Sequence, residues 1–291
     1  MNNKKYAIST DSGCDLTLEQ CKKYEIIPFK MSYTDGEIIY TDEMEEEKLK
    51  EFYKNIEEGV NYKTSAINVK EAYDFLEQII NEYDELIHIS LGSGISGTYN
   101  NMIIAKNMII EKYPNKKIYI IDSIAASLGY GMLAIEASKM RNEEKELIEV
   151  VERLEEIKKN MNVYFTTSTL TYLARGGRVN NVAAIFGNIL SIRPILKLDQ
   201  EGCLKVHCKG HGKKNTLNKV LNLIDETIIN PEEQTLYIVH SLSEEEMEEY
   251  ASIVKNQFNF KDVFANRLGT IIGAHTGPGL IAFFYFGKKR I

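Results

Sequence analysis

Short apolar runs and segments of helical periodicity alternate along the first half of the chain. Tyr6–Thr10, Leu86–Ser90 and Ile118–Asp122 have the length and composition of buried strands. Asn68 and Glu71 form a capping-box pair before a helix. That helix carries its apolar residues on one face: Ala72, Phe75, Leu76, Ile79 and Tyr83. Repeated strand–helix units predict a parallel sheet with helices on both faces.

Capping and turn residues define further elements of this half. Asp15 is placed to cap a short helix that runs through Lys23. The Asp35-Gly36 pair predicts a hairpin between two short strands. A long helical pattern from Glu143 to Asn160 predicts a connection to the second half.

The second half mixes strands and helices. Val163–Thr167 and Thr235–His240 are predicted strands, and Val179–Leu190 is a predicted apolar helix. Ile192–Leu198 and Cys203–Cys208 predict a hairpin. The remaining predictions are a turn at Arg175-Gly176-Gly177-Arg178, a helix at Ser243–Gln257, and two last strands on either side of His275-Thr276-Gly277-Pro278-Gly279.

The element order predicts an α/β protein of two lobes. The N-terminal lobe, residues 1–160, has a parallel sheet with helices on both faces. The C-terminal lobe, residues 161–291, is mixed α/β. A ligand is expected between the two lobes.

Composition excludes several classes of protein. The chain has 291 residues and a net charge of −7, whereas a nucleic-acid surface needs clustered Lys and Arg. No apolar stretch reaches the length of about 18 residues expected of a membrane span. Met1–Lys5 leads into a strand-like run and not into a signal peptide. We therefore expect a cytoplasmic protein.

Four residues of zinc-ligand type lie close together on the predicted hairpin: Cys203, His207, Cys208 and His211. On a strand, Cys203 and His207 share one face while Cys208 points to the other. Structural zinc sites have tighter paired spacings, so we expect no bound metal. Four cysteines in a chain of this length do not indicate a disulfide framework either.

The segment Gly92-Ser93-Gly94-Ile95-Ser96-Gly97 matches G-x-G-x-x-G between a strand and a helix predicted from Thr98 to about Lys112. The next strand ends in Asp122, where a ribose-binding acid is expected, so a dinucleotide-dependent enzyme is the alternative function. However, this loop does not belong to the first βαβ unit. Its hydroxyls and the helix N-terminus suit any anion, including a carboxylate.

A third interpretation makes Ser96 the nucleophile of a hydrolase or transferase. Such a serine needs a base within hydrogen-bond reach, and His275 is the candidate. The G-x-S-x-G elbow of many serine hydrolases does not occur in the chain. The hypothesis stays open beside the dinucleotide interpretation.

Several loop motifs together resemble the DegV family along nearly the whole chain. In order, they are Ser9-Thr10-Asp11-Ser12, Thr64-Ser65, Gly94-Ile95-Ser96-Gly97-Thr98-Tyr99, Ile121-Asp122-Ser123, Ser127-Leu128-Gly129, Leu173-Ala174-Arg175-Gly176-Gly177-Arg178, Ile192-Arg193-Pro194-Ile195-Leu196 and His275-Thr276-Gly277-Pro278-Gly279. The resemblance implies a two-lobed α/β protein that holds one long-chain fatty acid, such as palmitate or oleate, in a buried slot. It implies a binding protein without a cofactor, which presents the carboxylate to a separate fatty acid kinase and has at most transient membrane contact.

The same resemblance places the carboxylate ligands on Thr64 and Ser96, with Ser65 and Gly97 beside them. The other expected members of this polar cluster are His275, Thr276 and Arg175. No catalytic or metal-binding residue is expected.

Two positions depart from the family pattern. Ala66-Ile67-Asn68 follows Thr64-Ser65 where the family usually has Gln-Pro-Ser, which concerns one wall of the head-group site. His211 stands near a position where the family often has an arginine, which concerns a basic contact. Neither departure removes the two hydroxyl ligands.

Burial of a fatty acid needs both an apolar lining and a partner for its carboxylate. Each buried CH₂ contributes about 0.8 kcal/mol, and a buried carboxylate must be hydrogen-bonded. Thr64 and Ser96 can each donate one hydrogen bond without adding a charge. Both also have structural interpretations, Ser96 as a helix cap and Thr64 as a turn residue, while His275 can bond to backbone and Arg175 can be a surface residue. The best candidates for the tail lining are the two most apolar segments, Val179–Leu190 and Ile271–Phe286.

Overall fold

The computed structural model describes residues 5–179 and 192–290. Its strands are β1 (Ala7–Asp11), β2 (Ile27–Phe29), β3 (Ser32–Thr34), β4 (Ile39–Thr41), β5 (Lys63–Thr64), β6 (Glu85–Ser90), β7 (Lys117–Asp122), β8 (Met161–Thr167), β9 (Ile192–Leu198), β10 (Leu204–His211), β11 (Thr235–His240), β12 (Asp262–Arg267) and β13 (Leu280–Phe286). Its helices are α1 (Leu18–Tyr24), α2 (Glu46–Glu57), α3 (Val69–Ile80), α4 (Thr98–Lys112), α5 (Leu128–Asn142), α6 (Leu147–Ile157), α7 (Thr171–Gly176), α8 (Gly212–Thr227), α9 (Glu244–Phe258) and α10 (Thr270–Thr276).

The first half builds a parallel sheet of order β2-β1-β6-β7. Side chains alternate between its two faces, so that Leu86 packs toward α3 and α4 while Ile87 packs toward α5 and α6. A small antiparallel sheet of order β4-β3-β5 lies beside it and contains the predicted Asp35-Gly36 hairpin. The expected parallel sheet with helices on both faces is confirmed.

The second half builds a six-stranded sheet of order β10-β9-β8-β13-β11-β12. Its pairs are antiparallel except β11 with β12. The predicted hairpin at Ile192 corresponds to β9 and β10, with a register shift between Val206 and Cys208. The mixed α/β character of this lobe is confirmed, while the boundary near residue 160 stays a prediction.

Helix α5 connects the two lobes by packing against both large sheets. It contacts β1 and β6 of the parallel sheet as well as β8 and β11 of the mixed sheet. Most of its side chains are buried, including Tyr130, Leu133 and Ile135. A helix without a polar face is typical of such a central position.

The structure contradicts several sequence predictions about elements. Asp15 does not cap α1: Thr17 does so in a capping box with Gln20, and the buried Asp15 side chain points elsewhere. The pattern from Glu143 is not one helix, because the chain turns at Glu144 with φ of 60° before α6 begins. The third error concerns His275, which lies on α10 and not between a strand and a turn.

The predicted helix Val179–Leu190 lies outside the described residues, apart from Val179. The segment Arg175–Arg178 was predicted as a turn. Its first two residues instead complete α7, which Gly177 ends in the left-handed conformation with φ of 68°. Glycine adopts this conformation without steric cost, which explains the abrupt end of the helix.

Candidate functional site

An apolar slot lies between the two lobes and encloses about 910 Å³ of space free of protein atoms, counting its opening to solvent. Its floor is one face of the mixed sheet, where Val163 and Phe165 of β8 lie opposite Phe284 and Ala282 of β13. These residues share a face because side chains two apart on a strand point the same way. Helix α10 contributes Ile271 and further apolar surface.

Polar side chains gather at one end of the slot. Thr64 at the end of β5 and His275 near the end of α10 are 211 residues apart in sequence, yet Thr64 Oγ1 and His275 Nε2 are 2.6 Å apart. Ser65 and Thr276 also line the slot. The pair joins the N-terminal and C-terminal halves of the chain at the slot.

Ser96 lines the same cavity and also stabilises the start of α4. Its Oγ accepts from the Thr98 N–H at 3.2 Å and donates to Thr98 Oγ1 at 3.0 Å. The Ile67 N–H in turn donates to Thr98 Oγ1 at 3.3 Å, which joins the two hydroxyl loops. The Ser96 hydroxyl hydrogen can turn toward a ligand if it gives up its bond to Thr98 Oγ1, while a lone pair of the same oxygen still accepts from the Thr98 N–H. Gly97 completes this edge of the slot.

The His275 imidazole is neutral at neutral pH. Burial and, to a smaller extent, the positive charge of Arg178 together lower its pKa to about 4. Gly176 lies against the ring, since a β-carbon there would come within 2.7 Å of His275 Nδ1. A neutral ring adds no charge to that end of the slot.

Arg178 lines the slot, whereas Arg175 does not. Arg175 instead lies on α7 with its guanidinium over the ring of Tyr172, 5.9 Å from the ring centroid. The structure therefore favours Arg178 as the basic residue of the polar cluster. Both arginines belong to the same sequence motif. Helix α7 ends between them at Gly177, and only Arg178 lines the slot.

In the glycine-rich loop, Gly92 and Gly94 pack closely against other backbone segments of the protein and do not surround an open binding site. A β-carbon on Gly94 would meet the Glu201 carbonyl oxygen at 2.5 Å, and one on Gly92 would meet the Ala125 nitrogen at 2.6 Å. Asp122 accepts from the Ser93 N–H at 3.0 Å and from the Ser93 hydroxyl, so it anchors the loop. Gly92, Gly94 and Asp122 of the dinucleotide pattern thus already pack against or bond to other parts of the protein.

The nucleophile hypothesis requires His275 to activate Ser96. Among the hydrogen bonds of the described residues, His275 pairs with Thr64 and Ser96 pairs with Thr98. The serine–base pair needed for covalent catalysis is therefore not formed in this structure.

The described residues hold neither a metal-ligand cluster nor a membrane-spanning helix. Within residues 5–179 and 192–290, no three His, Cys, Asp or Glu side chains are grouped as metal ligands. None of the helices in those ranges has the length and hydropathy to cross a bilayer.

The fold and the slot define a class of two-lobed α/β proteins with a largely apolar cavity and a hydroxyl-rich polar end. Residues 5–288 match the family described as uncharacterised proteins of the DegV family. A DegV domain-containing protein of Clostridium perfringens is 34% identical over 288 residues, which cover 99% of each chain. The chain belongs to the DegV family.

Solved structures with the same fold extend the comparison. A DegV lipid-binding protein of Thermotoga maritima has a TM-score of 0.85 at 28% identity, covering 99% of this chain and 100% of that one. A second Thermotoga maritima protein, whose structure reveals a fatty-acid-binding function, has a TM-score of 0.83 at 26% identity and covers 97% of this chain and 99% of its own. The fatty-acid-binding DegV of Bacillus subtilis has a TM-score of 0.83 at 25% identity, covering 98% and 100%.

Proposed function

We propose that this protein binds one long-chain fatty acid in the apolar slot and presents its carboxylate to a separate fatty acid kinase. The carboxylate accepts hydrogen bonds from Thr64 and Ser96, with His275 and Arg178 beside it. The acyl tail lies along β8 and β13. Relatives of similar sequence and fold that bind lipid or fatty acid support the ligand class.

The observation that carries the proposal is the Thr64–His275 pair at 2.6 Å, at the polar end of a slot otherwise lined mainly by apolar side chains. A tail of roughly 16 carbons would gain about 0.8 kcal/mol per buried CH₂, before the costs of binding. The hydroxyls replace the water that the carboxylate loses. The slot therefore suits a molecule with one long apolar part and one anionic end.

Exposure at the polar end supports the presentation step. Ser65, Gly97 and Arg178 are exposed, while the residues along the tail path, such as Phe165 and Phe284, are buried. A carboxylate held there is reachable from solvent by an enzyme that carries ATP. The resemblance to the DegV family supplies the kind of enzyme, a kinase that phosphorylates the carboxylate.

The first experiment is native mass spectrometry of the purified protein with extraction and analysis of the bound lipid. We expect near one fatty acid per chain, whose length and saturation the analysis identifies. A protein that arrives empty and takes up neither palmitate nor oleate would contradict the binding proposal. Titration with nicotinamide and flavin nucleotides would then test the alternative.

The second experiment adds a bacterial fatty acid kinase and ATP to the loaded protein and traps acyl phosphate with hydroxylamine. In the reaction, a carboxylate oxygen attacks the γ-phosphorus and the bond to ADP breaks. We expect acyl hydroxamate only when protein, kinase and ATP are all present. Equal hydroxamate yields with and without this protein would contradict presentation to the kinase. The binding proposal, which the first experiment tests, would be unaffected by that result.

A further inference from the structure

The floor of the slot has two levels along β13, and the two levels lie over different strands. The first level is centred on Ala282, which pairs with Phe165 of β8 and with Val239 of β11. All three residues line the slot, so the floor extends there from β8 across β13 to β11. Leu196 of β9 pairs with Phe165 but is not among the described residues that line the slot.

The second level lies two residues further along β13, at Phe284 and its partner Val163 of β8. Here the floor extends in the other direction, to Leu198 of β9 and Leu204 of β10. Tyr237 of β11 pairs with Phe284 but does not belong to the described lining. The floor therefore shifts toward β9 by more than one strand spacing of about 4.8 Å, within about 7 Å along the strands.

Two phenylalanine rings lie on alternate sides of this path. Phe165 of β8 is opposite the small Ala282, whereas Phe284 of β13 is opposite the smaller Val163. The Phe284 ring reaches from the sheet to α5, because a β-carbon on Gly129 would come within 3.2 Å of Phe284 Cδ1. The ring therefore closes the straight route along β13 beyond Ala282, and the open floor continues over Val163.

Straight and bent acyl chains fit such a path differently. A saturated or trans-unsaturated chain is straight in its extended form, so it would meet the Phe284 ring or leave the floor over Val163 empty. In a close-packed interior, an unfilled space costs free energy. A saturated chain can follow the path only through gauche torsions, whereas a cis double bond already turns the chain to one side, as the floor does.

We propose that the slot is selective for an acyl chain bent by a cis double bond, and that Phe284 is the residue that sets this selectivity. The inference rests on the proposed fatty-acid function and names the class of chain that the same site takes. One arm of the bent chain lies over Ala282, and the other lies over Val163. The Phe284 ring excludes a chain that continues straight along β13.

The test is a competition among oleate, elaidate and stearate, which have equal length, for the purified protein freed of lipid. Displacement of a fluorescent fatty acid measures each affinity. Oleate and elaidate differ only in the geometry of one double bond, and we expect oleate to bind at least about fivefold more tightly than either of the others. Equal or tighter binding of elaidate or stearate would overturn the selectivity and leave the fatty-acid function standing. Failure of all three to bind would overturn both.

Phe284→Leu removes the ring and opens the straight route along β13. It should raise the affinity for elaidate relative to oleate several-fold. Phe283→Leu is the matched control, because Phe283 is fully buried on the opposite face of β13, in the core formed with α8 and α9. This control should leave the ratio of the two affinities unchanged. The same ratio in Phe284→Leu as in the wild type would contradict the role of the ring.

Circular dichroism of each variant shows whether it is folded. If Phe284→Leu does not fold, Val163→Leu decides, because the larger side chain narrows the floor over β8. It should lower the affinity for oleate relative to elaidate, and a wild-type ratio in that variant would overturn the proposed path.

Discussion

At the scale of single residues, Thr64 and Ser96 differ in the hydrogen bonds that they make within the protein. Thr64 Oγ1 bonds only to His275 among its described hydrogen bonds, whereas Ser96 Oγ also accepts from the first N–H of α4. Thr64→Val is expected to weaken fatty-acid binding about tenfold and to destabilise the protein by about 1 kcal/mol, because it leaves His275 Nε2 without this partner. Ser96→Ala is expected to weaken binding and also to destabilise the protein by about 1 kcal/mol, because it removes the acceptor of the Thr98 N–H.

Ser252→Ala on the exposed face of α9 is the matched control, because it removes a hydroxyl far from the slot. Affinity is measured by titration with a fluorescent fatty acid, and stability by denaturant unfolding. Wild-type affinity in both Thr64→Val and Ser96→Ala would contradict the placement of the carboxylate at this end of the slot.

The charge state of His275 gives a second prediction at this scale. Its pKa is lowered to about 4, first by burial and then by Arg178, so the empty protein holds a neutral ring above that pH. A carboxylate bound beside the ring favours the protonated form and raises this pKa. NMR titration of the His275 Cε1–H signal should therefore show a higher midpoint in the loaded protein. An unchanged midpoint would place the carboxylate away from the ring.

The polar cluster shows how far residue-level prediction reaches. Motif matches selected Thr64, Ser96 and His275, but nothing in the sequence shows that β5 and α10 meet, since 211 residues separate Thr64 from His275. Arg178 and not Arg175 lines the slot, and this depends on the end of α7 at Gly177, which the turn prediction did not locate. Side-chain direction depends on where a helix ends, and short patterns locate such ends poorly.

At the scale of elements, one aspartate holds the helix that carries His275. Asp15 reaches from the loop after β1 to accept from Gly269, the residue before α10, and from Ser127, the residue before α5. A β-carbon on Gly269 would come within 2.6 Å of Asp15 Oδ1. The close approach fixes the start of α10 and, through it, the position of His275.

Asp15→Ala is accordingly expected to lower the free energy of unfolding by about 2–3 kcal/mol, because it leaves two buried donors unsatisfied. Fatty-acid affinity should fall as well, since α10 loses its anchor. Asp15→Asn retains an acceptor for Gly269 and should recover most of both losses. Denaturant unfolding and lipid titration measure the two effects, with Asp74→Ala as the exposed control. Equal losses in the alanine and asparagine variants would mean that charge, and not hydrogen bonding, holds α10.

Elements with a strong period or a clear cap were predictable, and those shaped by tertiary contacts were not. The Asn68–Glu71 capping box and the helix from Thr98 to Lys112 agree with the structure. Helix α10 was missed because its seven residues lie in an apolar run that reads equally well as strand. The glycine-rich loop matched a phosphate cradle because close backbone packing and anion binding both select glycine.

At the scale of the whole molecule, the buried parallel sheet contains a titratable group that limits acid stability. His88 of β6 is fully buried, with Nδ1 2.9 Å from Ser9 Oγ and with no partner for Nε2 in the described residues. Burial lowers its pKa to about 3 from the ordinary 6.5. Between pH 6.5 and about pH 3, the His88 imidazole of the unfolded chain therefore binds a proton that the folded chain does not bind. His88 thus lowers stability as pH falls from 6.5 toward 3, at up to about 1.4 kcal/mol per pH unit.

Buried aspartates act in the opposite direction over part of this range. Burial raises the pKa of Asp11 to about 6, against its bond to Tyr130, so the folded chain binds this proton first as the pH falls. Protonation of Asp11 therefore adds stability from about pH 6 down to the ordinary pKa of about 4. The two contributions partly cancel in the wild-type protein, and its overall pH profile cannot separate them.

A substitution at His88 separates the two contributions. His88→Leu removes the imidazole and fills the space beside Phe75, whose ring centroid lies 6.1 Å from that of His88. The difference in unfolding free energy between variant and wild type should move in favour of the variant from pH 7 to pH 5, because only the wild type carries the imidazole cost. Urea unfolding at several pH values measures it. A pH-independent difference would mean that His88 is protonated in the folded state through a contact that offsets its burial.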